Sequence, residues 1–323
     1  MTAGGEVFLV QPIHPAGVAR LRAAGLAVRR ASAADTATVA AEIGDARVAV
    51  TRNAGLAAAA MAAAPALRLV VVHGVGHDRV DLAEATARGI AVCNTPAANA
   101  RSVAEHAIAT TLALARRLRE ADALVRAGRF EERYRLRIDD LRGKTLGLVG
   151  AGRIGLATAA LARGFRMRVL AYSPSVAPAR LARRGIEPSA DLGRLLEAAD
   201  VVSLHARLRP ETRGLIGAAE LARMRPTALL VNTARGALVD EAALVAALAR
   251  RQIAGAALDV FASEPVPADH PLLALDNVLL TPHVAGASEQ ALAATAEAVA
   301  AAILRAERGR RPAHLLNPAA WRR

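Results

Sequence analysis

The chain is poor in residues that staple, stack or enter membranes. Its 323 residues include one cysteine, Cys93. A single thiol cannot close an intrachain disulfide, which suits a reducing cytosol. The apolar stretch around Cys93 reads as that of a buried structural thiol rather than a reactive one. Aromatic residues make up only 2% of the chain, so the core must be aliphatic, and few rings are available for stacking on nucleobases. Lys144 is the only lysine. No apolar run reaches the ~18 residues that a membrane span needs. The N-terminus runs into an apolar stretch at 7–10 without the basic flank of a signal peptide. These absences point to a cytoplasmic protein with no membrane partner.

What is present is alanine and arginine. Hydrophobic residues make up 54% of the chain, and the formal net charge is +13. Such a charge raises the question of nucleic acid. The arginines are scattered over helices and loops, however, as at Arg20, Arg22, Arg116, Arg117, Arg183 and Arg250, with no long basic tract. Nucleic acid is therefore not expected as a partner; attraction of an anionic cofactor and substrate is use enough for the charge. The length is that of two domains.

One stretch organises the rest. Residues 146–149 form a short apolar run, followed by Gly150-Ala-Gly152-Arg-Ile-Gly155, an alanine-rich helical run to 163 and a second strand at 167–172. Glycines spaced G-x-G-x-x-G inside a strand–helix–strand unit point to dinucleotide binding. Gly150 allows the turn, Gly152 lets a pyrophosphate approach the backbone, and Gly155 lets the helix pack close. The helix N-terminus offers free N–H groups and a partial positive charge.

Elsewhere strand and helix alternate. Strands are read at 7–12, 26–29, 46–51, 67–72 and 90–93, with helices at 15–24, 35–43 (capped by Asp35), 56–64 and from the cap Asp81 to Gly89. That alternation is the plan of an α/β layer with a parallel sheet. His73-Gly74-Val75-Gly76-His77-Asp78 ends the fourth strand in a glycine-flanked turn, either an anion-binding turn or a plain one. One long helix is expected from 99 to about 126, then a charged irregular loop at 129–142. Further parallel strands follow at 201–204, 228–231, 256–258 and 278–280, and a last helix at 291–308.

Three strand ends carry polar groups: Arg235 after the strand at 228–231, Asp259 and Glu264 after the next, His283 after the one that follows. Each has a bland reading alone. Arg235 could cap a helix or pair with Asp240, Glu264 could be a solvated loop charge, and His283 could be a satisfied core histidine. In one parallel sheet all three would face the glycine loop. Arginine clamps carboxylates and polarises carbonyls, histidine shuttles protons near neutral pH, and a neighbouring carboxylate holds the ring and favours its imidazolium. Together they describe a hydride-transfer site with no metal.

From about residue 70 to 286 these motifs closely resemble the D-isomer-specific 2-hydroxyacid dehydrogenase family. The resemblance rests on Gly74-Val-Gly-His-Asp78, Asn94-Thr-Pro96, Ser102-Val-Ala-Glu-His106, Gly150-Ala-Gly-Arg-Ile-Gly155, Asn232-Thr-Ala-Arg-Gly236, Leu258-Asp-Val-Phe261 with Glu264-Pro265, and Thr281-Pro-His283. It implies two doubly wound parallel-sheet α/β domains. A Rossmann-type dinucleotide-binding domain (101–287) would be inserted into a flavodoxin-like substrate domain (1–100 plus 288–323). The long helix would serve as hinge and homodimer contact. Arg235 would bind the substrate carboxylate and carbonyl, with His283 as acid/base tuned by Glu264. Asp259 would hold the nicotinamide carboxamide. Arg153 and Ile154 would present N–H groups to the pyrophosphate. Ser173, His205, Thr233, Ala234 and Gly286 would complete the cofactor site, and Val75 and Gly76 would cradle the substrate carboxylate.

Ser173 follows Tyr172, where NAD-binding members usually carry an acid for the ribose hydroxyls. A serine does not repel a 2′-phosphate, so NAD and NADP both stay open, with Ser175, Arg180 or Arg207 as phosphate partners. The expected reaction is hydride transfer between NAD(P)H and a small 2-oxo or 2-hydroxy acid. A dinucleotide-sensing regulator acting through protein partners is the alternative, and a phosphite- or formate-type dehydrogenase a third reading.

Overall fold

The computed structural model describes residues 5–321. The chain divides into two compact units, Met1–Asn99 with Ala287–Arg323, and Ala100–Gly286.

The first unit holds a five-stranded sheet of β1 (Glu6–Leu9), β2 (Ala27–Arg30), β3 (Val48–Thr51), β4 (Leu69–Val72) and β5 (Ala91–Asn94). All pairs are parallel and the order is β2-β1-β3-β4-β5, the flavodoxin-like arrangement. β3, β4 and β5 are buried along their whole length, as parallel strands covered on both faces must be. Helix Pro15–Ala23 lies against helix Glu289–Glu307; a Cβ on Gly17 would come within 2.7 Å of the Ala296 carbonyl oxygen. Asp35 and Asp81 cap their helices by accepting from Thr38 N (2.9 Å) and Glu84 N (3.0 Å), as expected from sequence. Cys93 is fully buried, and burial pushes its thiol up to about 12.

The second unit holds β6 (Thr145–Val149), β7 (Arg168–Tyr172), β8 (Glu187–Ser189), β9 (Val201–Leu204), β10 (Leu229–Asn232), β11 (Gly255–Leu258) and β12 (Val278–Leu280). Their order is β12-β11-β10-β9-β6-β7-β8, parallel throughout. The chain starts in the middle, winds one way through β7 and β8, then returns to the other side of β6. This is the Rossmann order with an added strand. Leu146, Leu148, Val202, Leu204, Leu230 and Val231 are each at most 1% exposed; burying a side chain of this size contributes ~1.5–3 kcal/mol.

Three local expectations are corrected. The single helix expected at 99–126 is two, Ala100–Ala115 and Leu118–Arg126, broken where Arg117 takes a left-handed backbone (φ 50°). The first carries seven buried residues and the second none, so the helix stops being held where its core-facing stripe ends. The loop at 129–142 contains a 3₁₀ turn, Phe130–Arg135. And β8 escapes the sequence reading because Pro188 argues against a strand; a sheet edge tolerates it. Among the described residues no helix is long and apolar enough to cross a membrane.

Candidate active site

The glycine turn sits between β6 and helix Arg153–Gly164, and its three glycines do different things. Gly150 has φ +98°, a conformation that only glycine adopts easily, and a Cβ there would lie 2.7 Å from Ala206 N. A Cβ on Gly155 would lie 2.3 Å from the Gly150 carbonyl oxygen, whereas one on Gly152 would meet nothing within 4 Å. Two glycines therefore serve packing, and the third keeps an approach to the backbone open. Gly152 is the N-cap, and among the described residues no side chain caps the helix. The N–H groups of its first turn, from Arg153 and Ile154 on, are left for an anion.

The surroundings fit a dinucleotide. Ser173, just past β7, accepts from Ala151 N at 3.1 Å and so braces the turn. His205 is held neutral by burial, its pKa pushed down to about 4, and its Nε2 lies 2.9 Å from Ser203 Oγ. The buried Oγ1 of Thr233 has no hydrogen-bond partner among the described residues; a buried hydroxyl left so asks for a ligand.

The three polar strand ends lie on neighbouring strands. Past β10, Asn232 is 1% exposed and shapes the loop: its Oδ1 accepts from Ala234 N (3.1 Å) and its Nδ2 donates to the Arg235 carbonyl (2.9 Å). Arg235 Nη1 donates to the Ala234 carbonyl at 2.7 Å. Gly236 presses this loop against the next, since a Cβ there would stand 2.0 Å from Phe261 C. Past β11, Glu264 Oε1 accepts from Phe261 N at 3.2 Å, and its Oε2 lies 3.0 Å from His283 Nδ1. A carboxylate can only accept, so Nδ1 carries the hydrogen and Nε2 is the nitrogen left for other chemistry.

His283 itself has φ +55°, uncommon for a residue with a side chain. Asp259 holds it there. His283 N donates to the Asp259 carbonyl (2.9 Å), and the carboxylate, 2% exposed, accepts from Val284 N (2.8 Å), Ala285 N (2.9 Å) and Thr281 Oγ1 (2.6 Å). The residues just before Gly286 are thus fixed by a buried charge.

Arg235, Glu264, His283 and Asp259 thus stand on successive strand ends of one sheet, as do the glycine turn, Ser173, His205, Thr233 and Ala234. Val75 and Gly76 belong to the other unit, in the turn after β4. There Gly74 N donates to Thr95 Oγ1 (2.7 Å), and Asn94 Nδ2 donates to the Val75 carbonyl (2.8 Å). Among the described residues neither the Val75 nor the Gly76 N–H donates a hydrogen bond. Sequence alone assigns no role to Asn232, Thr281 or His106. The signal for Asn232 was an amide directly after an apolar strand, where a loop needs a local donor and acceptor; His106 had no signal beyond its motif.

The sequence profile of the D-isomer specific 2-hydroxyacid dehydrogenase NAD binding domain matches residues 108–285. The chain is 46% identical over 258 residues to the glyoxylate reductase of Korarchaeum cryptofilum, covering 79% of this chain and 77% of that protein. It is 39% identical over 287 residues to the D-3-phosphoglycerate dehydrogenase of Archaeoglobus fulgidus, covering 88% of this chain and 54% of that longer protein. The structure of the NADPH-dependent glyoxylate/hydroxypyruvate reductase from Sinorhizobium meliloti, solved with NADP and malonate, superposes with a TM-score of 0.88 at 33% identity, covering 99% of this chain and 98% of that one. With parallel sheets in both units, a dinucleotide turn and three polar strand ends beside it, the chain belongs to the D-isomer-specific 2-hydroxyacid dehydrogenase family and is an NAD(P)-dependent oxidoreductase.

Proposed function

We propose that this chain reduces a small 2-oxo acid of the glyoxylate and hydroxypyruvate class to the D-2-hydroxy acid, with Arg235, Glu264 and His283 as the reacting set. The observation that carries this reading is the 3.0 Å contact of His283 Nδ1 with Glu264 Oε2, one strand end away from Arg235. The nicotinamide, when bound, supplies the hydride. Arg235 grips the substrate carboxylate and polarises its carbonyl. His283 gives the Nε2 proton to the carbonyl oxygen, while Glu264 keeps the ring aimed and offsets its positive charge. In oxidation the same nitrogen takes the proton back. Asp259 accepts from the carboxamide. Gly150, Gly152, Arg153, Ile154 and Gly155 take the pyrophosphate, and Ser173, His205, Thr233, Ala234 and Gly286 line the remainder of the cofactor. Val75 and Gly76 offer their unengaged N–H groups to the substrate carboxylate. A reducing cytosol is the compartment that fits one buried thiol.

The test is His283→Ala, assayed with glyoxylate, hydroxypyruvate and longer 2-oxo acids under NADH and NADPH. Turnover should fall ~10²–10⁴-fold, as for loss of a general acid/base, with cofactor affinity unchanged. Full activity in the variant would remove His283 from the reaction. A wild-type chain that reduces none of these acids with either cofactor would remove the substrate class.

The chain works as a homodimer in this reading. Leu118, Val125, Phe130, Tyr134 and Ile138 are 51–80% exposed and lie within one short segment of the second unit. Apolar surface so concentrated is the mark of an interface, and a second copy of this chain is its occupant.

A further inference from the structure

His106 lies on helix Ala100–Ala115, and its imidazole reaches the far side of the Asp259 cluster. Its Nε2 stands 3.1 Å from Thr281 Oγ1 and 3.7 Å from Asp259 Oδ1. The second distance is too long for a hydrogen bond, so the hydrogen-bonded route from His106 to Asp259 runs through the threonine. The direction of that relay is determined. The Thr281 hydroxyl has one hydrogen and donates it to Asp259 Oδ1 at 2.6 Å. Only its lone pairs remain for His106, so the His106 Nε2 must carry a hydrogen and donate it.

What the relay supports is the turn under His283. The left-handed backbone at φ +55° is disfavoured for a residue with a Cβ. It persists because the Asp259 carboxylate accepts from the two following N–H groups, Val284 and Ala285. A carboxylate free to rotate would not hold both. Thr281 clamps one oxygen, and His106 orients the hydroxyl so that its hydrogen points to Asp259 and nowhere else. We propose that His106 is a positioning residue of the hydride-transfer site, acting through Thr281 and Asp259 on the backbone turn that aims His283. This rests on the reading of His283 as acid/base and of Asp259 as the carboxamide acceptor.

The substitutions that test it are His106→Leu, which removes the donor, His106→Gln, which returns an N–H close to the Nε2 position, and Thr281→Val, which cuts the relay. Each is measured for kcat, KM, Kd of the reduced cofactor by fluorescence titration, and thermal unfolding. His106→Leu should lower kcat about ten-fold, the equivalent of one net hydrogen bond of ~1.4 kcal/mol. It should weaken cofactor binding several-fold and leave substrate KM within two-fold. His106→Gln should recover most of both losses. Thr281→Val should match His106→Leu, and the double variant should be no worse than either single one. A His106 needed only for packing would lower the unfolding midpoint without moving kcat or Kd, and that result overturns the proposal. So does additivity in the double variant, or failure of glutamine to rescue a folded protein. His283→Ala separates the two levels. If it is as active as wild type, the site reading itself fails. If it is inactive while His106→Leu keeps wild-type kcat and Kd, only the relay fails.

Discussion

Two glycines of this chain separate packing from ligand approach, and alanine at each tests the site. At Gly236 the added methyl would sit 2.0 Å from Phe261 C and 2.1 Å from its carbonyl oxygen. Ordinary carbon contacts begin near 3.4 Å, so the two loops must part by about 1.4 Å, the difference of these distances. One loop carries Arg235 and the other carries Glu264, the partner of His283. A displacement near 1 Å in a reacting set is worth ~10²-fold in rate, and forcing a methyl into a packed contact costs ~1–3 kcal/mol of stability. Gly236→Ala should therefore lose about two orders of magnitude in kcat/KM and several degrees of melting temperature, with cofactor Kd less affected. At Gly152 the methyl meets nothing within 4 Å, so Gly152→Ala should keep its melting temperature. It occupies the approach to the uncapped helix and should weaken cofactor binding by ten-fold or more. Steady-state kinetics, calorimetric cofactor titration and thermal melts on the two purified variants decide the matter. A Gly236→Ala enzyme within two-fold of wild type would refute the claim that the contact of these two loops sets the site. A Gly152→Ala enzyme with unchanged cofactor affinity would move the pyrophosphate elsewhere.

Further outcomes follow from the same structure. Ser173→Asp places a carboxylate after β7 and should shift the ratio of NADP to NAD affinity toward NAD by at least ten-fold; titration of both cofactors reads this directly, and an unchanged ratio removes Ser173 from cofactor choice. Desolvation holds His205 neutral, with its pKa lowered from 6.5 to about 4. The unfolded chain therefore binds a proton that the folded chain refuses between these values, and stability falls as pH drops from 6.5 toward 4. Between pH 7 and pH 5 this one residue should cost about 2 kcal/mol; urea melts at the two pH values should show a smaller difference in His205→Asn. Leu118→Glu together with Phe130→Glu should convert the proposed dimer to a monomer by light scattering, and a wild-type chain already monomeric at micromolar concentration would contradict the interface.

The sequence reached as far as local rules reach. The strands at 46–51, 67–72 and 201–204 are apolar runs too short for membrane spans and too β-branched for helices, and each became a buried parallel strand. Asp35 and Asp81 declared their helices because a short acceptor before a helix start satisfies an orphan N–H. The glycine turn was legible because its spacing is a backbone requirement written in one residue type. The break at Arg117 was not legible, since no glycine or proline marks it; it arises where the helix runs out of sheet to cover. β8 was hidden by Pro188, which is disfavoured in a strand unless the strand is at an edge, and edges are assigned only by the whole sheet.

The chain alone determined which residues are available for chemistry: one guanidinium, two carboxylates and one imidazole, each in the segment that follows an apolar strand. It could not place them together, because residues 235, 264 and 283 are neighbours only through the order β12-β11-β10, a result of parallel pairing over long sequence separations. The tertiary structure also decided what supports them. Asn232 curls the Arg235 loop, Gly236 lets it touch Phe261, and the buried Asp259 carboxylate pins the left-handed turn of His283 with Thr281 and His106 behind it. Apart from the local turn at Asn232, these are contacts between side chains and backbone groups brought together by the sheet, and no local spacing encodes them.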